Sequence, residues 1–166
     1  MFEATYQHFD TNDAFLILHD CVAERILWKD GVLSFGFPEG IWVSPLHEAN
    51  SLEKTVKTDA AKVDFYLTEG KETNVTVHVF SKTRFGKELR EEWPLDKLIR
   101  LVNARLCKVE FLSQYKADGE QLIICWLWLK KKPHLKGYRG IKECHLTIEQ
   151  SKVVYCWNNL CANRTW

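Results

Sequence analysis

An unbroken run of apolar side chains at residues 122–129 dominates the hydrophobic pattern of this chain. A half-buried strand alternates apolar and polar positions with a period of two, and this run shows no such alternation. It is also much shorter than the roughly 20 apolar residues that span a bilayer. Three lysines at residues 130–132 end it. The pattern predicts a strand at the centre of the fold that is buried on both faces.

An Asp-Gly dipeptide at positions 118–119 sets the register of this run against residues 109–115. A two-residue turn there places Phe111 opposite Trp126 and Val109 opposite Trp128. Because side chains alternate along a strand, the run divides into an aliphatic face and an aromatic face. We expect a helix to cover the aliphatic face, and the sequence does not identify what covers the aromatic face. The aliphatic face consists of Ile123, Cys125, Leu127 and Leu129, and the aromatic face of Leu122, Ile124, Trp126 and Trp128.

Other alternating stretches predict further strands. Asp30-Gly31 indicates a hairpin between residues 24–28 and 32–37. Residues 63–68 and 75–80 alternate as well, which predicts a hairpin over residues 69–73 with Asp64 facing His78. Additional strands are predicted at residues 15–21, 40–44, 142–148 and 152–157, the last two as a closing hairpin, with a loop at residues 45–59 and a polar tail after residue 157.

One segment has helical periodicity. Pro94 suits the first position of a helix, and Asp96 in the first turn complements the helix dipole. The spacing predicts an amphipathic helix over residues 94–106. Its apolar stripe, which has to cover a sheet face, consists of Leu95, Leu98, Ile99, Val102 and Leu106.

These elements predict an α+β fold that is mainly β. We expect roughly eight to ten antiparallel strands in a sandwich or a partly closed barrel, with the helix inserted before the carboxy-terminal hairpins. The chain has 166 residues, of which 46% are hydrophobic, and it contains no repeat or Pro/Gly-rich linker. A single domain spanning residues 1–166 is therefore predicted.

The charge balance narrows the class of partner. Lys and Arg number 23 against 22 Asp and Glu, a net charge of +1, whereas a general nucleic-acid binder needs a clearly basic surface. We therefore expect neither specific nucleic-acid binding nor membrane association. Residues 1–10 contain no basic, apolar leader, which predicts a cytoplasmic protein. In that reducing compartment the six cysteines are expected to be free thiols.

Sequence motifs of catalysis are absent. The chain contains no nucleophile elbow, phosphate-binding glycine loop, dinucleotide fingerprint or helical zinc-protease motif. Residues 130–139 carry five cations, which we interpret as a solvated loop that blocks edge aggregation rather than a grip on phosphate. Neither a cofactor nor a metal is predicted, since the possible zinc-binding pairs have poor spacing. These pairs are His19 with Cys21, Cys144 with His145, and Cys156 with Cys161.

The balanced charge, the many aromatic residues and the lack of motifs favour a non-catalytic protein-interaction module. Such a small, bacterial-type protein would act by occluding a protein partner or by self-association. The alternative is a β module that binds a carbohydrate or another small molecule in an aromatic groove. The predicted ligand-binding residues of that groove are Phe111, Tyr115, Trp126 and Trp128.

A third hypothesis is an enzyme whose site residues are dispersed along the chain. Carboxylates and imidazoles on different strands would have to converge in a cleft. The candidates are His19, Asp20, Asp64 and His78.

Overall fold

The chain folds as a mainly β protein with one short helix, so the predicted fold class is confirmed. The computed structural model describes residues 5–11, 13–82, 85–130 and 138–166. Within these residues the strands form two antiparallel sheets and no closed barrel. None of the helices found in these ranges has the length and apolar character that crossing a membrane requires.

The described residues contain more strands than the eight to ten predicted. Two 3-10 turns, Asp13–Phe15 and Glu72–Asn74, accompany them. The elements in chain order are β1 His8–Asp10, β2 Leu16–Ile17, β3 Cys21–Ala23, β4 Arg25–Lys29, β5 Val32–Phe37, β6 Trp42–Val43, β7 Val56–Thr58, β8 Ala61–Leu67, β9 Val75–Lys82, β10 Glu88–Trp93, α1 Leu95–Asn103, β11 Cys107–Ala117, β12 Glu120–Lys130, β13 Tyr138–Trp157 and β14 Leu160–Thr165.

The long strand β13 lies in the middle of the larger sheet and pairs with four other strands. Its first part pairs with β12 and β9, and its second part pairs with β8 and β1. The register against β8 shifts between Gln150 and Lys152, where an extra residue bends the strand. The predicted hairpin between residues 142–148 and 152–157 is therefore wrong. Since residues 149–151 contain no Gly, Pro, Asn or Asp, the chain continues through them as a strand.

The predicted hairpin between residues 63–68 and 75–80 is also wrong. β8 lies between β5 and β13, whereas β9 lies between β13 and β10. Asp64 consequently faces Ser34 and Val154, not His78. The two strands take different parts of β13 as their partner, and their alternating patterns are compatible with either arrangement.

Both Asp-Gly hairpins are confirmed. β4 pairs with β5 around Asp30 and Gly31, whose φ angles are 51° and 76°. β11 pairs with β12 around positions 118–119, with Ala117 opposite Glu120. The large sheet follows the order β3-β11-β12-β13-β8-β5-β4, with β9 and β10 branching from β13, and the smaller sheet follows β14-β7-β6-β2.

Several short strands differ from the predictions. Residues 15–21 divide into β2 and the start of β3, because Asp20 adopts a φ of 56° and turns the chain. The predicted loop at residues 45–59 contains β7, and the strand predicted at residues 40–44 is only β6. The polar tail forms β14, which pairs with β7. Residues 45–59 and the tail after residue 157 lack the alternation that predicts strands, although β7 and β14 within them pair through their backbones.

The helix α1 is confirmed, but it ends before the predicted boundary. Leu95, Leu98 and Val102 are buried, whereas Leu106 lies beyond the end of the helix and is exposed. The side chain of Asn103 accepts the N–H of Ile26 (3.0 Å) and donates to its carbonyl (2.7 Å). This amide fastens the end of the helix to β4, and the helix also contacts β11 and β9.

Buried side chains from both sheets and the helix form one hydrophobic cluster. Phe111 lies in it, and its ring contacts those of Phe35 and Phe37 edge-to-face at centroid distances of 5.2 and 5.3 Å. The aliphatic face of β12 also points into this cluster, since Ile123, Cys125 and Leu127 are fully buried. The opposite face of β12 is not buried, contrary to the two-sided burial predicted for residues 122–129.

Candidate functional site

A β-bulge in β11 decides which side chains share the exposed face of β12. From the turn, the pairing runs regularly to Ser113 opposite Ile124. The register then shifts, so that Phe111 lies opposite Cys125 and Val109 opposite Leu127. Leu112 is the extra residue, and one extra residue exchanges the two faces of the strand that follows.

The bulge corrects the predicted register at Phe111. The prediction placed Phe111 opposite Trp126 on the aromatic face, but its side chain is fully buried on the other side of the sheet. The charges of Lys108 and Glu110 argue against the predicted register. The predicted register would have turned Lys108 and Glu110 toward the buried aliphatic face, where unpaired charges are costly.

Contacts from the turn between β2 and β3 hold the bulge in place. The backbone N–H of Asp20 donates to the carbonyl of Phe111 (2.8 Å). The His19 ring nitrogen Nδ1 lies within hydrogen-bond distance of the carbonyl of Leu112. Two candidate residues of the enzyme hypothesis thus contact the backbone of β11.

We name the solvent-exposed side of the large sheet around β12 the outer face. Its side chains lie in rows that run across neighbouring strands, from each residue to its partner in the register. One row crosses six strands and reads Val22, Glu110, Trp126, Glu143, Phe80 and Arg90. The row beside it comprises Lys108, Trp128 and Ile141. The row on its other side comprises Ser113, Ile124, His145, His78 and Glu92.

Aromatic and aliphatic side chains on this face are open to solvent. Trp126 is 40% exposed and Ile141 48% exposed. Tyr115, opposite Leu122 at the hairpin end of the same face, is 58% exposed. Three of the four predicted ligand-binding residues therefore lie on the outer face, and Phe111 does not. Their role in binding stays a prediction.

The two tryptophans on this face are held in a defined arrangement. Their rings meet edge-to-face at 6.3 Å between centroids. The indole Nε1–H of Trp128 donates to a carboxylate oxygen of Glu110 (2.7 Å). Trp128 is thereby fixed against β11, and the more exposed ring of Trp126 projects from the centre of the row between two glutamates.

Histidines and glutamates extend the outer face toward β10. The ring nitrogen Nε2 of His145 lies 2.7 Å from a carboxylate oxygen of Glu143, and its ring contacts Phe80 at 4.5 Å between centroids. His78 lies directly across from His145 and 3.8 Å from a carboxylate oxygen of Glu92. The predicted site residues did not include His145 and Glu143, although the alternation of residues 141–147 contains the necessary signal.

The residues of the enzyme hypothesis are not brought together as one set. His19 and Asp20 are adjacent, with 3.4 Å between Nε2 and Oδ1. Asp64 is buried and forms a 2.7 Å ion pair with Lys62 on β8, while His78 lies on β9. Burial lowers the pKa of Lys62, but the hydrogen bond and charge of Asp64, together with the nearby Cys156 and Tyr6, raise it overall, so Lys62 stays protonated near neutral pH.

The cysteines behave as small core residues. All six are free, as predicted, and five are buried, while Cys161 is half-buried. Burial raises the pKa of Cys107 to about 12 and that of Cys156 to about 11, so both remain thiols near neutral pH. Cys144 points into the core and His145 away from it, as predicted for adjacent strand residues. Within the described ranges, no three His, Cys, Asp or Glu residues are grouped to hold a metal ion.

A cleft of about 590 Å³ lies beside the turn between β11 and β12. Polar residues line most of it, including Thr68, Asp118 and Gln150. None of the four predicted ligand-binding residues lines this cleft. Most of the basic run at residues 130–139 falls outside the described residues.

No protein-family model, curated protein or solved structure matches this chain. The candidate site is therefore argued from geometry and chemistry alone.

Proposed function

We propose that this protein is a non-catalytic interaction module that binds a segment of a partner protein on its outer face. The observation that carries this proposal is the exposure of Trp126, Tyr115 and Ile141 on one face of the large sheet. Tryptophan and tyrosine at the centre of a surface with charged surroundings are typical of protein-binding hot spots.

The outer face suits a short partner segment better than a large obligate interface. The row through Trp126 crosses six strands spaced about 4.8 Å apart and is about 24 Å wide. With the row of Tyr115 and Leu122 the face has four rows two residues apart, which are about 20 Å high. The resulting area of about 500 Å² is smaller than the roughly 800 Å² per partner of a standard interface. Permanent dimer interfaces are larger and more apolar, whereas charged residues alternate with aromatic ones in this face.

The sheet supports such a role because it needs little ordering on binding. Ile124, Trp126 and Trp128 lie on β12, which is hydrogen-bonded on both sides, to β11 and to β13. The opposite face of β12 is fixed in the core. Because this backbone is already ordered, binding does not have to order a loop or strand, and only the side chains of the face lose conformational freedom.

A display library of random peptides, selected against the purified protein, tests the proposal. Selected peptides are then measured against Trp126→Ala and against Trp28→Ala, a matched control because Trp28 is 36% exposed on β4. Both variants are first checked for an unchanged thermal midpoint. We expect the Trp126 variant to bind at least tenfold more weakly, because it removes the central ring, and the Trp28 variant to bind normally.

Three outcomes contradict this function. One is a library that yields no binding peptide, and another is peptides that bind equally well to the Trp126 variant. The third is a concentration-dependent dimer that Trp126→Ala abolishes, which would make a second copy of the chain the occupant of the face.

A further inference from the structure

We infer that the outer face recognises a lysine or arginine side chain of the partner segment, held over Trp126 between Glu110 and Glu143. This inference rests on the proposed function and specifies its partner chemistry. Glu110 and Glu143 are the direct cross-strand neighbours of Trp126 on β11 and β13. Residues in such positions have Cβ atoms roughly 5 Å apart, so the two glutamates are the direct neighbours of the tryptophan across the sheet.

Both carboxylates are already oriented by contacts on the face. One oxygen of Glu110 accepts the indole N–H of Trp128, and one oxygen of Glu143 lies 2.7 Å from the His145 ring nitrogen. A carboxylate has two oxygens and about four acceptor directions, so each glutamate retains capacity for a further donor. The two carboxylates are therefore preorganised acceptors on the strands to either side of Trp126.

The basic side chains described in the same two rows do not neutralise this pair. Lys108 is bound to Glu24, with 2.5 Å between its Nζ and a carboxylate oxygen. Arg90 lies in the same row as Glu143 but beyond Phe80, two strands away. The chain as a whole has a net charge of +1, so the acidic character of this row is a local feature.

Two other tryptophans of this protein already bind a lysine of the same chain. The Lys97 Nζ lies 3.8 Å above the ring of Trp93, and the Lys57 Nζ lies 4.9 Å from that of Trp42. No lysine or arginine of the described residues lies over Trp126, although a glutamate lies on the neighbouring strand to either side of it. A cation over a tryptophan face is attracted by the ring quadrupole, and flanking carboxylates add charge-assisted hydrogen bonds.

The test uses those library peptides that require Trp126 for binding. Each lysine is replaced by norleucine and each arginine by citrulline, which keep the length of the side chain and remove its charge. We expect at least one basic residue per peptide whose replacement weakens binding about tenfold or more. Lysine and arginine should also be enriched in the selected peptides relative to the input library.

Substitutions on the protein, combined with these peptide changes, form a double-mutant cycle. Glu110→Gln and Glu143→Gln keep the shape and are expected to weaken binding of the basic peptides threefold to tenfold each, and to leave the norleucine and citrulline peptides unaffected. Glu69→Gln is the control, because Glu69 is exposed and pairs with Lys71 in the turn after β8. Binding should also weaken between 50 and 300 mM salt, since the attraction is screened.

Failure of this inference is distinguishable from failure of the proposed function. Peptides that require Trp126 but bind equally well without their basic residues overturn the inference and leave the interaction module intact. The inference is also overturned if neither glutamine variant changes the affinity. If no peptide requires Trp126, the proposed function fails and the inference fails with it.

Discussion

The backbone around Gly40 leaves no room for a side chain at this position. Its φ of 79° is a conformation that side-chain-bearing residues adopt at a cost, and the residue lies just before β6, against the end of β7. A Cβ atom at this position would lie 2.2 Å from the carbonyl oxygen of Thr58 and 2.3 Å from that of Asp59. Because these are backbone atoms, they cannot rotate away.

We expect Gly40→Ala to lower the free energy of unfolding by about 3 kcal/mol or more, the range typical of combined backbone strain and steric overlap. Gly86→Ala is the matched control: its φ is 77°, and a Cβ there meets no atom within 4 Å. That variant should cost only about 1 kcal/mol for the conformation alone. Urea denaturation of both variants measures the difference, and equal losses would show that the steric overlap has no effect.

The helix shows what periodicity predicts and what it leaves out. The spacing of Leu95, Leu98 and Val102 identified the buried face of α1 correctly. The same pattern included Leu106, but the chain leaves the helix after Asn103, and Arg105 has a φ of 57°. Helical periodicity does not specify where the helix ends, since the turn at Arg105 comes before the last apolar position, Leu106.

The two ends of this stripe should respond differently to truncation. Leu98 is 0% exposed, so Leu98→Ala is expected to cost about 3 kcal/mol through lost burial and a residual cavity. Leu106 is 43% exposed, and Leu106→Ala should cost less than about 1 kcal/mol. Thermal and urea unfolding of the two variants provide the comparison. Equal losses in the free energy of unfolding would contradict a helix whose buried face ends before Leu106.

Strand pairing over the whole sheet was less predictable than the strands themselves. The hairpins at Asp30-Gly31 and at positions 118–119 were predicted correctly, because the turn residues specify the pairing locally. β13 pairs with four strands, three of them from distant parts of the chain, and alternation alone does not select a partner. The candidate site was predicted in part: Trp126, Trp128 and Tyr115 share a face, while the bulge at Leu112 removed Phe111 from it.

Burial of ionisable groups in the common core predicts that the fold weakens at alkaline pH. Burial raises the pKa of Cys21, Cys107 and Tyr155 to about 12. In the unfolded chain thiols lose their protons near pH 9 and tyrosines near pH 10. Between these values and about pH 12 the folded state binds more protons than the unfolded state, so the free energy of unfolding falls as the pH rises.

The expected slope is about 1.4 kcal/mol per pH unit for each such group. Urea midpoints measured from pH 8 to pH 11 should decline above pH 9. Cys107→Ala should make this decline shallower, because it removes one buried thiol from the balance. Cys161→Ala is the matched control, because it removes a thiol from a half-buried position on β14 instead of from the core. Midpoints that stay constant to pH 11, or equal slopes in the two variants, would show that the core thiols do not control alkaline stability.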